Sequence, residues 1–290
     1  TIWPLVAEMI NGRKLSVGPP FFNISFTPFM VALAMILPLG AMLPWKRAML
    51  GKAMKPLWGP LALSVALGAL VWSLQTGGRM LAPIGAVLAT WIFLGALADL
   101  GQRARFGKAG MGEVLRRLGN LPRADWGKAT AHIGLGVLVF AASAITAWEQ
   151  EDIRVVQPGE SFSFAGYDLT LESVERIEGP NYTADMAFIG LAQDGRQLAT
   201  LTPEKRFYPV QRFPTTEAGI DLGFTRDVYV VIGEQQADGG WVVRTFIKPF
   251  ANWIWAAVAI MSLGGLLSLS DRRYRLGAAV RPSAEAVPAE

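Results

Sequence analysis

The sequence contains a single histidine, His132, and no cysteine. His132 lies near the start of the uncharged apolar segment 129–148, where an ionisable side chain is costly and usually has a function. A lone imidazole at membrane depth is open to three interpretations: a hydrogen bond to a neighbouring helix, axial ligation of a haem iron, or a proton relay. The lack of cysteine excludes zinc–thiolate sites and iron–sulfur clusters, and one histidine excludes a multi-histidine metal site built by this chain alone.

The residues around His132 are small, and Gly136 follows it after one helical turn. A glycine at this spacing leaves room either for a flat macrocycle or for a closely packed helix. If His132 ligates a haem iron, Gly136 is the candidate residue for packing against that haem. A haem held by two imidazoles would take its second histidine from outside this chain, because the chain has no other.

A basic pair, Lys205 and Arg206, lies beside aromatic residues in the segment Thr202–Tyr208. The fork of an arginine suits carboxylates such as haem propionates, and the same pair is equally typical of a solvated strand edge. The nearby triplet Thr225–Asp227 is interpreted as a turn.

Three further sites lie at the ends of apolar spans. The segment Ser16–Asn23 precedes a span, and Pro19 and Pro20 predict an extended, stiff chain there. This segment is interpreted as an anchoring or re-entrant loop, with a substrate-facing lip as the alternative. Asp99 and Asp271 end two other spans and are interpreted as helix termini whose carboxylates reach towards water.

Five apolar windows are long enough to cross a membrane, for which about 20 residues are needed. They lie at 24–43, 57–74, 81–98, 129–148 and 250–270. The segment 1–10 is too short to span, and the chain begins at Thr1 without a methionine, so we expect a piece of a longer or processed protein. Trp241, Trp253 and Trp255 fit an aromatic belt at the membrane surface.

The basic residues indicate one orientation of these spans. Fifteen lysines and arginines fall in the segments 44–56, 99–128 and 271–290, whereas the short segments on the opposite side hold only three, Arg13, Lys14 and Arg79. Short loops rich in basic residues stay in the cytoplasm, so the segment 149–249 is predicted to lie outside it. Because the basic residues follow the spans and do not cluster on one folded face, no nucleic acid is expected as a partner.

The segment 149–249 has the pattern of a β-domain. Its apolar residues alternate with polar ones, as in Val228, Val230 and Ile232, which is typical of half-buried strands. Turn pairs such as Asp194-Gly195 separate the runs and predict hairpins. We expect seven or eight short strands that form a small β-barrel or sandwich. The chain then divides into a helical bundle at 1–148, the β-domain at 149–249, a final transmembrane helix at 250–270 and a cytoplasmic, partly disordered tail at 271–290.

Seven motifs follow one another along almost the whole chain. They are SVGPPFFN (16–23), AHIGLG (131–136), GPNYTAD (179–185), LTPEKRFYP (201–209), IDLGFTRDVYVVIGE (220–234), WVVRTFIKPFANWIW (241–255) and DRR (271–273). Together they resemble the C-terminal half of the CcmF family, the bacterial cytochrome c maturation proteins regarded as a haem lyase subunit. A sister family that serves a nitrite reductase cytochrome is the alternative resemblance.

The resemblance implies a polytopic α-helical membrane protein with an inserted small all-β periplasmic domain, placed in the bacterial cell inner membrane. It implies a haem lyase component that takes haem from a haem chaperone and, with thiol-handling maturation subunits, assists its covalent attachment to apocytochrome c. It also implies a haem b between two transmembrane histidines, with His132 as one axial ligand of the haem iron. The family's two outer histidines and tryptophan-rich WWD segment, which bind the haem to be delivered, are not in this chain.

Two other functions stay open from the sequence. One is a transmembrane transporter of haem or another small molecule, in which His132 relays haem or protons. Transporters of that kind usually show inverted repeats and broken helices, and neither is evident here. The other is a purely structural assembly subunit whose β-domain docks partners. No residue is singled out by the sequence as catalytic.

Overall fold

The computed structural model describes residues 3–12, 18–43, 49–75, 80–210 and 212–271. Within these residues the helices are α1 (Trp3–Asn11), α2 (Pro19–Met42), α3 (Leu50–Met54), α4 (Trp58–Leu74), α5 (Leu81–Arg103), α6 (Met111–Gly119), α7 (Arg123–Trp148) and α8 (Asn252–Leu269), with a 3₁₀ turn at Lys55–Leu57. The strands are β1 (Gln150–Val156), β2 (Ser161–Phe164), β3 (Tyr167–Glu178), β4 (Thr183–Gln193), β5 (Arg196–Leu201), β6 (Glu204–Tyr208), β7 (Phe213–Glu217), β8 (Gly219–Asp221), β9 (Arg226–Gln235) and β10 (Trp241–Pro249). The tail after Asp271 and the basic residues Arg13, Lys14, Lys46, Arg47 and Arg79 lie outside the described residues.

Five stretches of helix are long and apolar enough to cross a membrane. They are Phe21–Met42, Leu50–Leu74, Leu81–Arg103, Arg123–Trp148 and Asn252–Leu269. The strands all fall between the fourth and the fifth of these helices. The predicted fold class, a polytopic α-helical membrane protein with an inserted all-β domain, is confirmed.

Helix α2 begins earlier than the predicted span, at Pro19. The prediction of an extended chain at Pro19 and Pro20 was wrong, because both prolines occupy the first turn of the helix. The first backbone N–H groups of a helix have no partner within it, so a residue without an N–H is well tolerated there. Gly18 precedes them in an extended conformation, and Ser16 and Val17 of the same motif lie outside the described residues.

The described residues divide into two compact units. The helical unit takes its residues from Thr1–Leu67, Val87–Gly136 and Ala259–Glu290, and the sandwich unit from Gly68–Ala86 and Val137–Val258.

In the helical unit, helices approach each other closely where glycine faces the neighbour. A Cβ atom on Gly127 would lie 2.5 Å from the Gly264 carbonyl oxygen, and one on Gly264 would lie 2.5 Å from the Ala131 nitrogen. Helices α7 and α8 are therefore in backbone contact there, as small residues allow in membrane helices. Helices α2 and α5 are joined by a hydrogen bond of 3.0 Å from Trp91 Nε1 to the carbonyl oxygen of Met35.

The sandwich unit contains two antiparallel sheets. One has the strand order β1-β10-β9-β8, and the other has the order β2-β3-β4-β6-β7 with β5 also paired to β4. The first half of β4 pairs with β6 and its second half with β5, so one long strand supports two shorter ones. The prediction of seven or eight strands was too low by two or three, since the described residues form ten, some as short as the three residues of β8.

The core of the sandwich follows the predicted alternation. Val228, Val230 and Ile232 of β9 are all at most 1% exposed. The predicted hairpin at Asp194-Gly195 is confirmed, with positive φ angles of 52° and 74° that suit a two-residue turn between right-twisted strands. Trp241 is also part of this core, so its assignment to an aromatic belt was wrong.

Candidate functional site

His132 lies in the third turn of α7, on a helix that is long and apolar enough to cross a membrane. Its side chain is half-buried, and its imidazole has no hydrogen-bond partner among the described residues. A hydrogen bond to a neighbouring helix, one of the three interpretations of this residue, therefore has no partner within the described part of the chain. A ring nitrogen with no competing bond is available to a ligand or to a metal ion.

A charged cluster of Asp99, Arg103, Asp125 and Lys128 joins α5 to α7, and Lys128 lies one helical turn before His132. Asp99 is only 3% exposed. One oxygen of its carboxylate lies 2.6 Å from Lys128 Nζ, and the other lies 3.2 Å from Arg103 Nε. Arg103 Nη1 also lies 2.9 Å from the Asp125 carboxylate. Each carboxylate in this cluster is thus compensated by a cation, as a buried charge requires.

Both aspartates that end spans are buried, so the prediction that their carboxylates reach towards water was wrong. Asp99 enters the charged cluster, and Asp271 is 6% exposed. Asp271 Oδ2 accepts a hydrogen bond of 3.0 Å from the Ala124 backbone N–H, in the first turn of α7. A carboxylate there satisfies an N–H group that lacks a partner within the helix and complements the positive end of its dipole. The start of the helix that carries His132 is therefore fixed by Asp271 and by the charged cluster.

Gly136 lies on α7 one turn after His132 and is buried. A Cβ atom at this position would lie 3.0 Å from the Ala89 carbonyl oxygen and 3.2 Å from Phe93 Cβ. A glycine here leaves room for a flat macrocycle or for a closely packed helix. The structure shows the closely packed helix, since α5 lies directly against α7 at Gly136. The role of Gly136 in packing against haem stays a prediction.

The basic pair Lys205 and Arg206 lies on β6, which is an interior strand paired to both β4 and β7. The interpretation of this segment as a strand edge was wrong. Lys205 forms an ion pair with Glu234, and Arg206 Nε donates a hydrogen bond of 2.7 Å to Glu204. This hydrogen bond raises the pKa of Arg206 above its ordinary value, and the guanidinium also lies over the Tyr182 ring.

A groove of about 310 Å³ lies beside this basic pair in the sandwich unit. It is lined by Arg176, Thr183, Ala184, Asp185, Lys205, Arg206, Phe207, Pro214 and Glu234. Carboxylates line this groove together with cations, and each cation of the basic pair already has a carboxylate partner. Neither cation of the basic pair is therefore left without a carboxylate for an anion such as a haem propionate to replace. Within the described residues, no group of three or more histidine or acidic side chains is placed to hold a metal ion.

Of the predicted turn at Thr225–Asp227, only Thr225 lies in a bend, while Arg226 and the buried Asp227 are the first residues of β9. Asp227 is 1% exposed, and its Oδ1 accepts hydrogen bonds from the Gly223 N–H at 3.0 Å and from Asn252 Nδ2 at 3.1 Å. Burial raises the pKa of Asp227, the hydrogen bond from Gly223 opposes this shift, and the Asp221 carboxylate adds to it. The burial of Asp227 could not be predicted from the local sequence, because its partner Asn252 is distant along the chain.

The raised pKa of Asp227 predicts a pH-dependent stability of β9. A group whose pKa is higher in the folded state contributes stability at low pH, and that contribution is lost as the pH rises through the folded pKa. We expect the amide protection of residues 219–232, after correction for intrinsic exchange, to fall as the pH rises above about 4, the ordinary pKa of an aspartate, and Asp227→Asn to remove this slope. Hydrogen exchange measured by mass spectrometry tests this. The exposed Asp194, changed to asparagine, is the control, and an unaltered slope in Asp227→Asn would contradict the assignment.

The sequence of this chain matches a known family model and several curated proteins. The family model described as CcmF C-terminal beta-sandwich matches residues 147–249. Cytochrome c-type biogenesis protein ccl1 of Rhodobacter capsulatus is 56% identical over 292 aligned residues, which cover 100% of this chain and 44% of that protein. Cytochrome c-type biogenesis protein CycK of Rhizobium meliloti is 40% identical, covering 97% of this chain and 42% of that protein. The chain thus spans less than half the length of these curated relatives.

The fold is also that of a solved structure. The structure titled Cytochrome c Heme Lyase CcmF superposes with a TM-score of 0.69, covers 93% of this chain and 42% of that chain, and is 20% identical in sequence. Membrane helices interrupted by a β-sandwich are therefore common to both proteins. From the family match, the relatives and the shared fold, the chain belongs to the CcmF family of cytochrome c-type biogenesis proteins and corresponds to their C-terminal part.

Proposed function

We propose that this chain is the C-terminal part of a haem lyase component in the bacterial inner membrane, which holds haem and assists its covalent attachment to apocytochrome c. The observation that carries the proposal is the single imidazole of His132, which lies in an apolar helix and has no hydrogen-bond partner among the described residues. The names of its relatives, cytochrome c-type biogenesis proteins, support the same process.

His132 fits an axial ligand of a haem b. The residue is half-buried, so part of it is accessible at the surface of the helical unit. The nearby Lys128 already has partners other than His132. It pairs with Asp99 and donates a hydrogen bond of 3.3 Å to the Ala41 carbonyl oxygen. A second imidazole ligand would come from outside these residues, because the chain has one histidine. A haem bound there would supply reversible one-electron chemistry at its iron.

The remaining chemistry is consistent with catalysis by positioning. This chain contributes no thiol to the reaction, and the thiols that form the thioether bonds are those of apocytochrome c. Holding reacting groups in the right geometry can itself lower the barrier greatly. A haem chaperone and thiol-handling maturation subunits are the partners that such a reaction needs.

Exchange of the matched segment between relatives tests the function. In a strain that lacks its own ccl1, we would express the Rhodobacter protein with this chain in place of the matching 44% of its length. We expect the membranes to regain c-type cytochromes, seen as covalently bound haem on denaturing gels. The unaltered Rhodobacter protein is the positive control. A hybrid that is present in membranes at the control level and yields no covalent haem would contradict the proposal.

The orientation proposed for the membrane leads to a separate prediction. The asymmetry of fifteen against three basic residues in the short segments supports a periplasmic position for the segment 149–249 and a cytoplasmic position for the tail. Alkaline phosphatase is active only outside the cytoplasm. We therefore expect a fusion after Gln193 to be active and one after Arg281 to be inactive, as measured in whole cells against equal fusion-protein levels. The reverse pattern of activities would overturn the orientation.

A further inference from the structure

We propose that the loop Leu222-Gly223-Phe224, between β8 and β9, inserts its two apolar side chains into the lipid headgroup region beside the start of α8. The proposal concerns the membrane surface of the sandwich unit. It does not depend on haem binding, and its test can fail or succeed independently of the function proposed above.

The depth of the loop is fixed by its contacts with α8. Trp253 lies in the first turn of this membrane helix, and its Nε1 donates a hydrogen bond of 2.9 Å to the Phe224 carbonyl oxygen. The rings of Phe224 and Trp253 are 5.4 Å apart between centroids. Tryptophan at the end of a membrane helix sits at the level of the headgroups. Phe224 therefore lies at the depth where α8 enters the bilayer.

The loop exposes apolar surface at that depth. Phe224 is 77% exposed and Leu222 is 65% exposed, and neither side chain belongs to the hydrophobic core of the sandwich. Trp255, in the first turn of α8, is 74% exposed as well. The exposed apolar surface of the loop thus lies beside the exposed apolar surface at the start of a membrane helix. Lipid can cover both surfaces.

The loop is held in place rather than left to move. Asp227 accepts the Gly223 N–H, and Asn252 Nδ2 donates to the Gly223 carbonyl oxygen at 3.2 Å and to Asp227. A Cβ atom on Gly223 would lie 2.2 Å from the Arg226 carbonyl oxygen, so the loop has room only for glycine there. Because Asn252 begins α8, these bonds tie both loop and helix to one buried carboxylate.

The occupant that fits these observations is a bilayer surface. The residues Leu222 to Phe224 carry no charge, which favours the boundary between headgroups and acyl chains over water. A docked protein would also cover Leu222 and Phe224, but unlike lipid it would exclude both oxygen and a water-soluble reagent from them.

The absence of cysteine allows single spin labels to be placed at will. We would introduce Leu222→Cys and Phe224→Cys separately into the full chain in nanodiscs of phosphatidylethanolamine and phosphatidylglycerol. Leu198→Cys is the matched control, since Leu198 is 46% exposed on β5. Collision rates with oxygen, which enters lipid, and with a water-soluble nickel chelate then report the depth of each label.

We expect labels at 222 and 224 to collide more with oxygen than with the chelate, at a depth of about 5–10 Å below the headgroup surface. The label at 198 should show the opposite preference. The Leu222 variant keeps the contact between Phe224 and Trp253, so it remains informative if the Phe224 variant is misfolded. Equal behaviour of 222 and 198 would place the loop in water. Protection of 222 from both reagents would show a protein contact, and either result overturns the proposal.

Discussion

Replacing His132 with leucine is expected to abolish most of the low-spin b-haem absorbance of the complete protein. Leucine fills a similar volume but has no lone pair for iron, so a loss of haem cannot be attributed to a cavity. His132→Ala should lose the haem as well, and added imidazole should restore part of the signal if the cavity opens to the small ligand. The measurement is the reduced-minus-oxidised spectrum of purified protein at equal protein concentration.

Ile133→Ala is the matched control for this experiment. Ile133 is the next residue on α7 and is also half-buried, but its side chain cannot ligate a metal. We expect it to retain the haem spectrum, and we expect both His132 variants to insert into the membrane, because removing a polar group from hydrocarbon does not hinder insertion. Full haem content and full cytochrome c assembly in either His132 variant would show that His132 is a packing residue.

The features predicted correctly from sequence are those encoded by local pattern. The alternation of Val228, Val230 and Ile232 decides which face of β9 is buried, whatever strand lies beside it. The pair Asp194-Gly195 decides its own hairpin through the backbone angles that glycine and aspartate tolerate. The membrane helices follow from length and apolarity, since the bilayer sets both.

The features that were missed depend on contacts between distant residues. Asp99 was interpreted as an exposed helix end because its compensating partner, Lys128, is on another helix. Asp227 was assigned to a turn because the bonds from Gly223 and Asn252 that permit its burial are not visible in the local sequence. The position of His132 in a membrane helix could be predicted, but what fixes the start of that helix could not.

A strong loss of stability is expected when Lys128 is replaced with methionine. The Asp99 side chain is 4% exposed, and without Lys128 it retains only Arg103, at 3.2 Å. Leaving a buried charge without one of its partners typically costs about 3–5 kcal/mol, and the partial exposure of Lys128 favours the lower end of that range. Thermal unfolding of the purified chain in detergent, followed by helical circular dichroism, measures the loss. Lys52→Met, at an exposed lysine, is the control.

The double variant Asp99→Asn with Lys128→Met separates the charge from the packing. If the loss in Lys128→Met comes from the stranded carboxylate, then removing that charge should recover most of the stability, although the bond from Lys128 to the Ala41 carbonyl is still missing. If the losses of the two single variants simply add, the ion pair is not what stabilises this end of α7. In the complete protein we expect Lys128→Met to lose b-haem absorbance as well, and its recovery in the double variant would show that the charged cluster holds α7, and with it His132, in position.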